Sequence, residues 1–258
     1  MTDPLLSLSV VSHGQVALVN ALLDDIACVC TLPLEVVFTQ NVPEPDPSVP
    51  APLQGRTAIL KNALPKGFGA NHNAASRAAR APYFCILNPD VRLGADPFPG
   101  LVEVCADARI GAVAPRVVDP AGVIENNARH YPHPLSIAAR ALGLRQERAV
   151  STGDDVFYPD WVGGMFMLVR RDLFVEVGGF DERFFMYYED VNLCARLRLL
   201  GKEIACVPAV PVVHAARRAS HHDPRHVSWH LRSMLRFFGS RVFVRAMLQK
   251  HLLTSRRV

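Results

Sequence analysis

Tyr83-Phe84-Cys85-Ile86-Leu87-Asn88-Pro89-Asp90 is the stretch that decides how this chain folds. The unbroken apolar and aromatic run from Tyr83 to Leu87 predicts a strand buried on both faces, as in a parallel sheet covered by helices. Asn88-Pro89-Asp90 then ends the strand and sets a carboxylate at its carboxyl end. Such a carboxylate suits Mg²⁺ or Mn²⁺, which need few protein oxygens when a diphosphate supplies the others. Asn-Pro-Asp is equally good turn chemistry, and local spacing alone does not choose between the two.

Strands and helices alternate outward from this point. Residues 5–11 read as a buried strand, residues 16–26 repeat apolar positions at helical spacing, and residues 34–39 form a second strand. Residues 43–52 are too rich in proline for regular structure and predict an exposed loop, with a short strand at 58–60. Gly67-Phe68-Gly69 introduces a helix running to about residue 79. Beyond Asp90, Asp96-Pro97 leads into a helix ending near residue 107, and residues 110–118 are another strand. The pattern predicts an α/β fold with a mostly parallel sheet, helices on both faces, and ligands beyond the strand carboxyl ends.

The pattern loosens over residues 119–160, which hold Pro132, Pro134 and one expected helix at 136–142, and reads as an insertion bordering the site. Residues 162–169 return to strand character, Asp172 caps a short helix to 177, and 204–207 and 210–213 are short late strands. The expected division is a main domain at 1–215 and a helical tail at 216–258.

With 258 residues, half of them apolar, the chain buries a sizeable core and is not disordered. No apolar run approaches the roughly 20 residues that span a bilayer, and Met1-Thr2-Asp3-Pro4 has no basic region before an apolar stretch, so a cytoplasmic location is expected. Six scattered cysteines read as reduced and mostly buried, and Cys28-Val29-Cys30 lacks the second pair that a metal site needs. The net charge of +4 is uneven: from His214 onward ten Lys/Arg face the single acid Asp223. That tail favours an anionic neighbour.

A second informative stretch is Gly178-Gly179-Phe180-Asp181-Glu182-Arg183-Phe184-Phe185-Met186-Tyr187-Tyr188-Glu189-Asp190, a glycine-hinged aromatic loop ending in two carboxylates as a helix begins. Adjacent helical residues diverge by about 100°, so Glu189 and Asp190 have separate roles. An aspartate here can simply cap a helix. The glycines and crowded aromatics before it instead suggest a shaped cleft floor with Asp190 at its edge as a base, and Glu189 as a positioning residue toward Arg196.

The segments Leu87 to Val91, Val162 to Arg171, Gly178 to Asp190 and Val212-Val213-His214, in this order, resemble family 2 glycosyltransferases of the GT-A fold. Gly67-Phe68-Gly69-Ala70-Asn71-His72-Asn73 is similar to rhamnosyltransferases of cell-surface polysaccharide assembly, of O-antigen type. The resemblance implies an inverting transfer from a nucleotide sugar, expected to be dTDP-rhamnose, to a lipid-linked or oligosaccharide acceptor. It makes Asp190 the catalytic base, places Asp90 and His214 at a Mg²⁺ or Mn²⁺ ion, and gives Asn88 a lesser part at metal or ribose. A histidine in a His-rich tail is otherwise a surface residue.

Nucleotide contacts are expected from Val11, Ser12 and His13 at the first strand end, and from Gln40 and Asn41 at the second. Gly67, Phe68, Asn71 and Asn73 are expected to approach the donor sugar or ribose, although paired glycines often just make a turn. Trp161, Gly163, Gly164 and Glu189 are expected on the acceptor side, where a flat indole face suits a sugar and suits a core equally well. Three departures from the family stand out: Ser12-His13-Gly14 for Thr-Tyr-Asn, Gln40 for an aspartate, and Asn192 for another aspartate. They leave open a different donor such as a UDP-hexose, or a catalytically silent nucleotide-sugar or polysaccharide-binding subunit.

The tail from Pro224 to Arg257 is divided by Gly239 into two amphipathic helices carrying Arg232, Arg236, Arg241 and Arg245. Such helices lie on an anionic membrane, pack on the main domain, or pair two copies into a homodimer. A nucleic-acid partner is not expected, because the tail aromatics are spaced for helix packing rather than base stacking.

Overall fold

In the computed structural model, which describes residues 3–131, 153–214 and 224–255, the deciding stretch forms β4 (Tyr83–Leu87) inside an eight-stranded sheet. The sheet order is β3 (Thr57–Lys61), β2 (Leu34–Gln40), β1 (Leu6–Ser12), β4, β9 (Phe166–Arg170), β6 (Ile110–Val118), β10 (Glu203–His214) and β5 (Val91–Arg92). The first four strands are mutually parallel, β9 is antiparallel to both β4 and β6, β10 is parallel to β6, and β5 is antiparallel to β10. Cys85 and Leu87 of β4 enter one core layer while Phe84 and Ile86 enter the other. Burial on both faces is why this strand shows no apolar-polar alternation.

The described helices are α1 (Val16–Val29), α2 (Phe68–Ala78), α3 (Phe98–Cys105), α4 (Arg171–Glu176), α5 (Glu189–Leu199), α6 (Pro224–Phe238) and α7 (Arg241–Ser255). α1 buries Val19, Leu22, Leu23 and Ile26, a spacing of three and four that lays one stripe on the layer containing Leu6, Leu8 and Val10. The opposite layer takes Ala75 from α2 and Leu193 and Leu197 from α5.

Two strand expectations change. The strand expected at 162–169 is broken: Trp161–Val162 is β8, paired antiparallel with β7 (Ala128–Arg129) in a separate ribbon, and β9 starts only at Phe166. Gly163 gives its N–H to the Asn127 carbonyl and Gly164 gives its own to a side chain, so the ladder lapses between the two strands. Conversely, the short strands expected at 204–207 and 210–213 are one strand, β10, with a register shift between Val207 and Val212. Pro208 and Pro211 in that interval have no N–H for the ladder. The helix expected at 136–142 lies outside the described residues.

Both tail helices use their apolar sides on the main domain, where Phe237 and Ala246 join Tyr131, Phe184, Tyr188, Val191 and Ala195 in a third cluster. Val227, Leu231 and Leu235, four residues apart on α6, remain exposed. The six cysteines are free, and four are buried. Among the described residues no helix is long and apolar enough to cross a membrane.

Candidate active site

Asp190 is the second residue of α5, so the helix is not capped by it. Its Oδ2 accepts the Gly164 N–H at 3.1 Å and its Oδ1 the Val191 N–H at 2.8 Å. The carboxylate is thereby aimed by a chain segment remote in sequence. Burial raises its pKa, opposed by those two N–H groups and by the charge of Arg129. It keeps part of its surface open, as a base acting on a bound hydroxyl requires.

The residues before it are strained. Tyr187 and Tyr188 adopt left-handed backbone angles, with φ of 72° and 66°, a conformation costing about 1–2 kcal/mol per non-glycine residue. Packing holds them there: the Tyr187 hydroxyl lies 2.7 Å from Nδ1 of His226, and the Tyr188 ring rests 5.6 Å from that of Phe237. Glu189 is buried with Oε2 lacking a hydrogen-bond partner, and burial, then the neighbouring Asp190 charge, pushes its pKa well above the carboxylate range. It does not reach Arg196, whose guanidinium instead donates to the carbonyls of Val177 and Gly179 and to Oδ1 of Asn192. Those carbonyls, at the turn where the loop starts, and the Asn192 amide leave Arg196 turned away from Glu189.

The start of α2 seats directly on the aromatic loop. Phe68 N–H donates to the Phe185 carbonyl at 2.9 Å, and a Cβ on Gly67 would lie 2.6 Å from that same oxygen. A Cβ on Gly164 would lie 3.1 Å from the Phe68 ring, so glycine lets Phe68 and Asp190 flank it. Asn73 clamps Phe180, accepting its N–H at 2.8 Å and donating to its carbonyl at 2.9 Å. Asn71 donates to the carbonyls of Lys66 and Gly67 and accepts from Asn62. Both amides, expected at the donor, make these hydrogen bonds within the chain. Trp161 is half-buried, donates to the His130 carbonyl at 3.0 Å, and carries the Arg129 guanidinium 5.4 Å above its ring.

Across the sheet, His214 ends β10 opposite Val91, which brings it to Asp90. Its Nε2 is 3.4 Å from Asp90 Oδ1 and its Nδ1 2.8 Å from Glu125 Oε2. Burial disfavours the imidazolium, but Asp90 and Glu125 overcome this and push His214 up to about 9. Asp90 Oδ1 is buried without a hydrogen-bond partner, an oxygen fitted to a cation. Among the described residues no group of three or more His, Cys, Asp or Glu is placed to hold a metal. Asp90 and His214 alone would leave most positions around a divalent ion to other oxygens. Asn88 puts its N–H on the Met165 carbonyl.

β1 and β2, at whose ends nucleotide contacts are expected, finish side by side, Val11 paired with Thr39 and Ser12 with Gln40. Asn41 accepts from Asn62 and from the Lys66 N–H, donates to the Lys66 carbonyl, and lies 3.3 Å from His13 Nδ1. The Gln40 amide donates to Asp46 Oδ1 at 2.8 Å, while Ser12 Oγ donates to Glu44 at 2.9 Å. The proline-rich loop thus returns two carboxylates to the strand end where Gln40 lacks one.

Glu44, Asp46, Glu125 and Arg129 escaped the sequence reading. The two loop acids were visible beside Gln40, but nothing marked the loop as folding back. Glu125 and Arg129 sit in the segment without periodicity, and only the pairing of β7 with β8 brings Arg129 near Asp190.

No family model matches the chain. It is 34% identical over 192 residues to rhamnosyltransferase WbbL of Escherichia coli, covering 67% of this chain and 70% of that protein. It is also 34% identical over 174 residues to the N-acetylglucosaminyl-diphospho-decaprenol L-rhamnosyltransferase of Mycobacterium tuberculosis, covering 60% of this chain. The chain spans 54% of that mycobacterial protein's length. Among solved structures, GalNAc-T7 with UDP, GalNAc and Mn²⁺ superposes with a TM-score of 0.62 at 14% identity, over 83% of this chain and 44% of the other.

Proposed function

We propose that this chain, which belongs to the rhamnosyltransferase-like family 2 glycosyltransferases of GT-A fold, transfers L-rhamnose from dTDP-rhamnose to a lipid-linked glycan with inversion. The observation that carries the reading is the geometry at Asp190, a carboxylate aimed by Gly164 N–H at the end of a strained aromatic loop. Asp190 takes the proton of an acceptor hydroxyl as that oxygen bonds to the anomeric carbon. The bond from that carbon to the diphosphate oxygen breaks on the opposite side, which inverts the centre.

Asp90 and His214 would hold the divalent ion, which when bound offsets negative charge on the departing diphosphate. Glu125 fixes the ring of His214 so that Nε2 faces Asp90. Asn41, His13 and Gln40 shape the nucleotide end, with Glu44 and Asp46 providing the acidity that Gln40 lacks. Those two carboxylates favour a working donor site over a silent subunit. Asn71 and Asn73 act by fixing α2 and the loop, and Trp161 with Gly163 and Gly164 borders the acceptor.

The placement is the inner face of the cytoplasmic membrane, supported by the exposed Val227, Leu231 and Leu235 beside Arg232 on a tail helix without acidic residues. Flotation with anionic liposomes checks it; a chain that stays at the bottom of the gradient refutes it. The activity is tested by incubating the protein with Mg²⁺ or Mn²⁺, a panel of nucleotide sugars including dTDP-rhamnose and UDP-hexoses, and a lipid-linked acceptor. Nucleoside diphosphate should appear with dTDP-rhamnose. Release from no donor sinks the enzyme reading, and preference for a UDP-hexose corrects the sugar.

A further inference from the structure

A cleft of about 710 Å³ opens between the aromatic loop and α6, lined by Arg183, Phe185, Trp229, Arg232, Leu235 and Arg236. It lies within the roughly 300–1,000 Å³ typical of small-ligand sites. Its charges are not offset from within. Arg232 has no hydrogen-bond or ion-pair partner among the described residues, and Arg236 donates to the backbone carbonyl of Arg183 and lies 6.0 Å from the Phe184 ring. Arg183 alone meets a carboxylate, Asp181 at 2.6 Å. Neither α6 nor α7 contains an Asp or Glu.

Arginines one helical turn apart repel each other, and a fold that gathers them without acids offers a place for an anion. Guanidinium groups bind phosphate oxygens in a planar fork. The rest of the cleft is apolar: the Phe185 and Trp229 rings stand 4.9 Å apart and Leu235 is 68% exposed. A recess that is half cationic and half apolar matches an amphiphile with a phosphate head.

From this, and resting on the lipid-linked acceptor of the proposed function, we infer that the cleft binds the isoprenoid diphosphate that carries the acceptor sugar. The placement agrees with the chemistry. Phe185 forms the wall of the cleft, yet its carbonyl receives the Phe68 N–H, and Phe68 lies against Gly164 beside Asp190. Anchoring by the carrier lets one face of the enzyme select lipid-linked sugars without contacts to the sugar ring.

The test measures binding of farnesyl diphosphate to the full chain by calorimetry, against inorganic diphosphate and against phosphatidylglycerol vesicles. Farnesyl diphosphate should bind at least about tenfold more tightly than inorganic diphosphate. Arg232→Ala should weaken it by about tenfold, the scale of one charge-assisted hydrogen bond, and Arg232→Lys should restore part of the loss. Arg232 is exposed and unpartnered, so its removal spares the fold; the double change Arg232→Ala with Arg236→Ala should cost more. The KM for a lipid-linked acceptor should rise with the same substitutions. Unchanged binding in Arg232→Ala, or full displacement of farnesyl diphosphate by the vesicles, overturns the inference. Arginine-dependent binding by a protein that releases no nucleoside diphosphate upholds the cleft and refutes the transferase reading. A transferase indifferent to Arg232 does the reverse.

Discussion

The donor half and the acceptor half of this molecule are held together by opposite means. At the ends of β1 and β2 the polar groups, Thr39 Oγ1 excepted, satisfy one another: Asn41 receives two N–H donors and gives one, and the Gln40 amide and Ser12 hydroxyl both find partners in the loop behind them. Around Asp190, two tyrosines hold unfavourable backbone angles and Glu189 buries an oxygen without a partner. Aromatic packing from α6 and α7 pins that arrangement in place. The β1–β2 end, the proposed donor half, is specified mainly by hydrogen bonds, whereas the Asp190 loop, the proposed acceptor half, carries backbone strain beside its carboxylate. Substitutions should therefore act differently in the two halves.

The largest effect is expected at the strained half. Asp190→Asn keeps the size but only one of the two hydrogen bonds accepted from Gly164 and Val191, and it cannot take a proton, so kcat should fall about 10²–10⁴-fold. The KM for the donor should stay near its original value, because the donor is held by the other half. Steady-state release of nucleoside diphosphate measures both constants. A matching loss of donor affinity breaks the division into halves.

Glu125→Gln tests the junction between them. The substitution removes the carboxylate that fixes His214, and loss of such a supporting partner typically costs about 10–100-fold in metal affinity or activity. The pKa of His214, pushed up to about 9 with both carboxylates present, should drop. Titration of activity with Mn²⁺ and proton NMR of the imidazole read the two consequences. An unmoved histidine pKa removes Glu125 from the site.

The asymmetry also explains what the sequence disclosed. Strand β4 announces itself because burial on both faces demands an unbroken apolar run, and Asp90 follows from its end. Asp190 stands out because glycines and aromatics crowd before it. Glu125 and Arg129 did not, since a β7–β8 ribbon of two-residue strands leaves no periodic trace. Asn73 was expected near the donor as part of the segment that follows Gly67-Phe68-Gly69, and its hydrogen-bond partner Phe180 lies 107 positions away. Pairings of that kind have no local signal, so these hydrogen bonds of Asn71 and Asn73 are visible only in the fold.

A smaller effect is expected at the seam between α2 and the loop. Gly67→Ala would place a methyl group 2.6 Å from the Phe185 carbonyl oxygen, a backbone atom that cannot swing aside. Overpacking of this kind costs about 1–3 kcal/mol, to be read from urea unfolding. Gly94→Ala is the control, because a Cβ there meets nothing within 4 Å, and its cost should stay within about 0.5 kcal/mol. Equal costs at both positions would mean that the loop yields freely and stores no strain.

The smallest effect concerns Glu189 and depends on pH. Burial, then the charge of Asp190, raises its folded pKa well above the value of about 4.3 expected when unfolded. Between those two values the folded chain binds a proton that the unfolded chain has released. Stability from this group therefore falls as pH rises through that window, by at most about 1.4 kcal/mol per pH unit for one proton. Below the unfolded value both states are protonated and the group contributes no slope. Glu189→Gln stays neutral throughout, so it should match the parent in pH dependence near pH 4 and gain on it at neutral pH. Asp190 shares the proton equilibrium, which makes the slope a property of the pair, so the comparison is repeated in Asp190→Asn. Urea unfolding at a series of pH values decides it. Curves that stay parallel show Glu189 ionised in the fold.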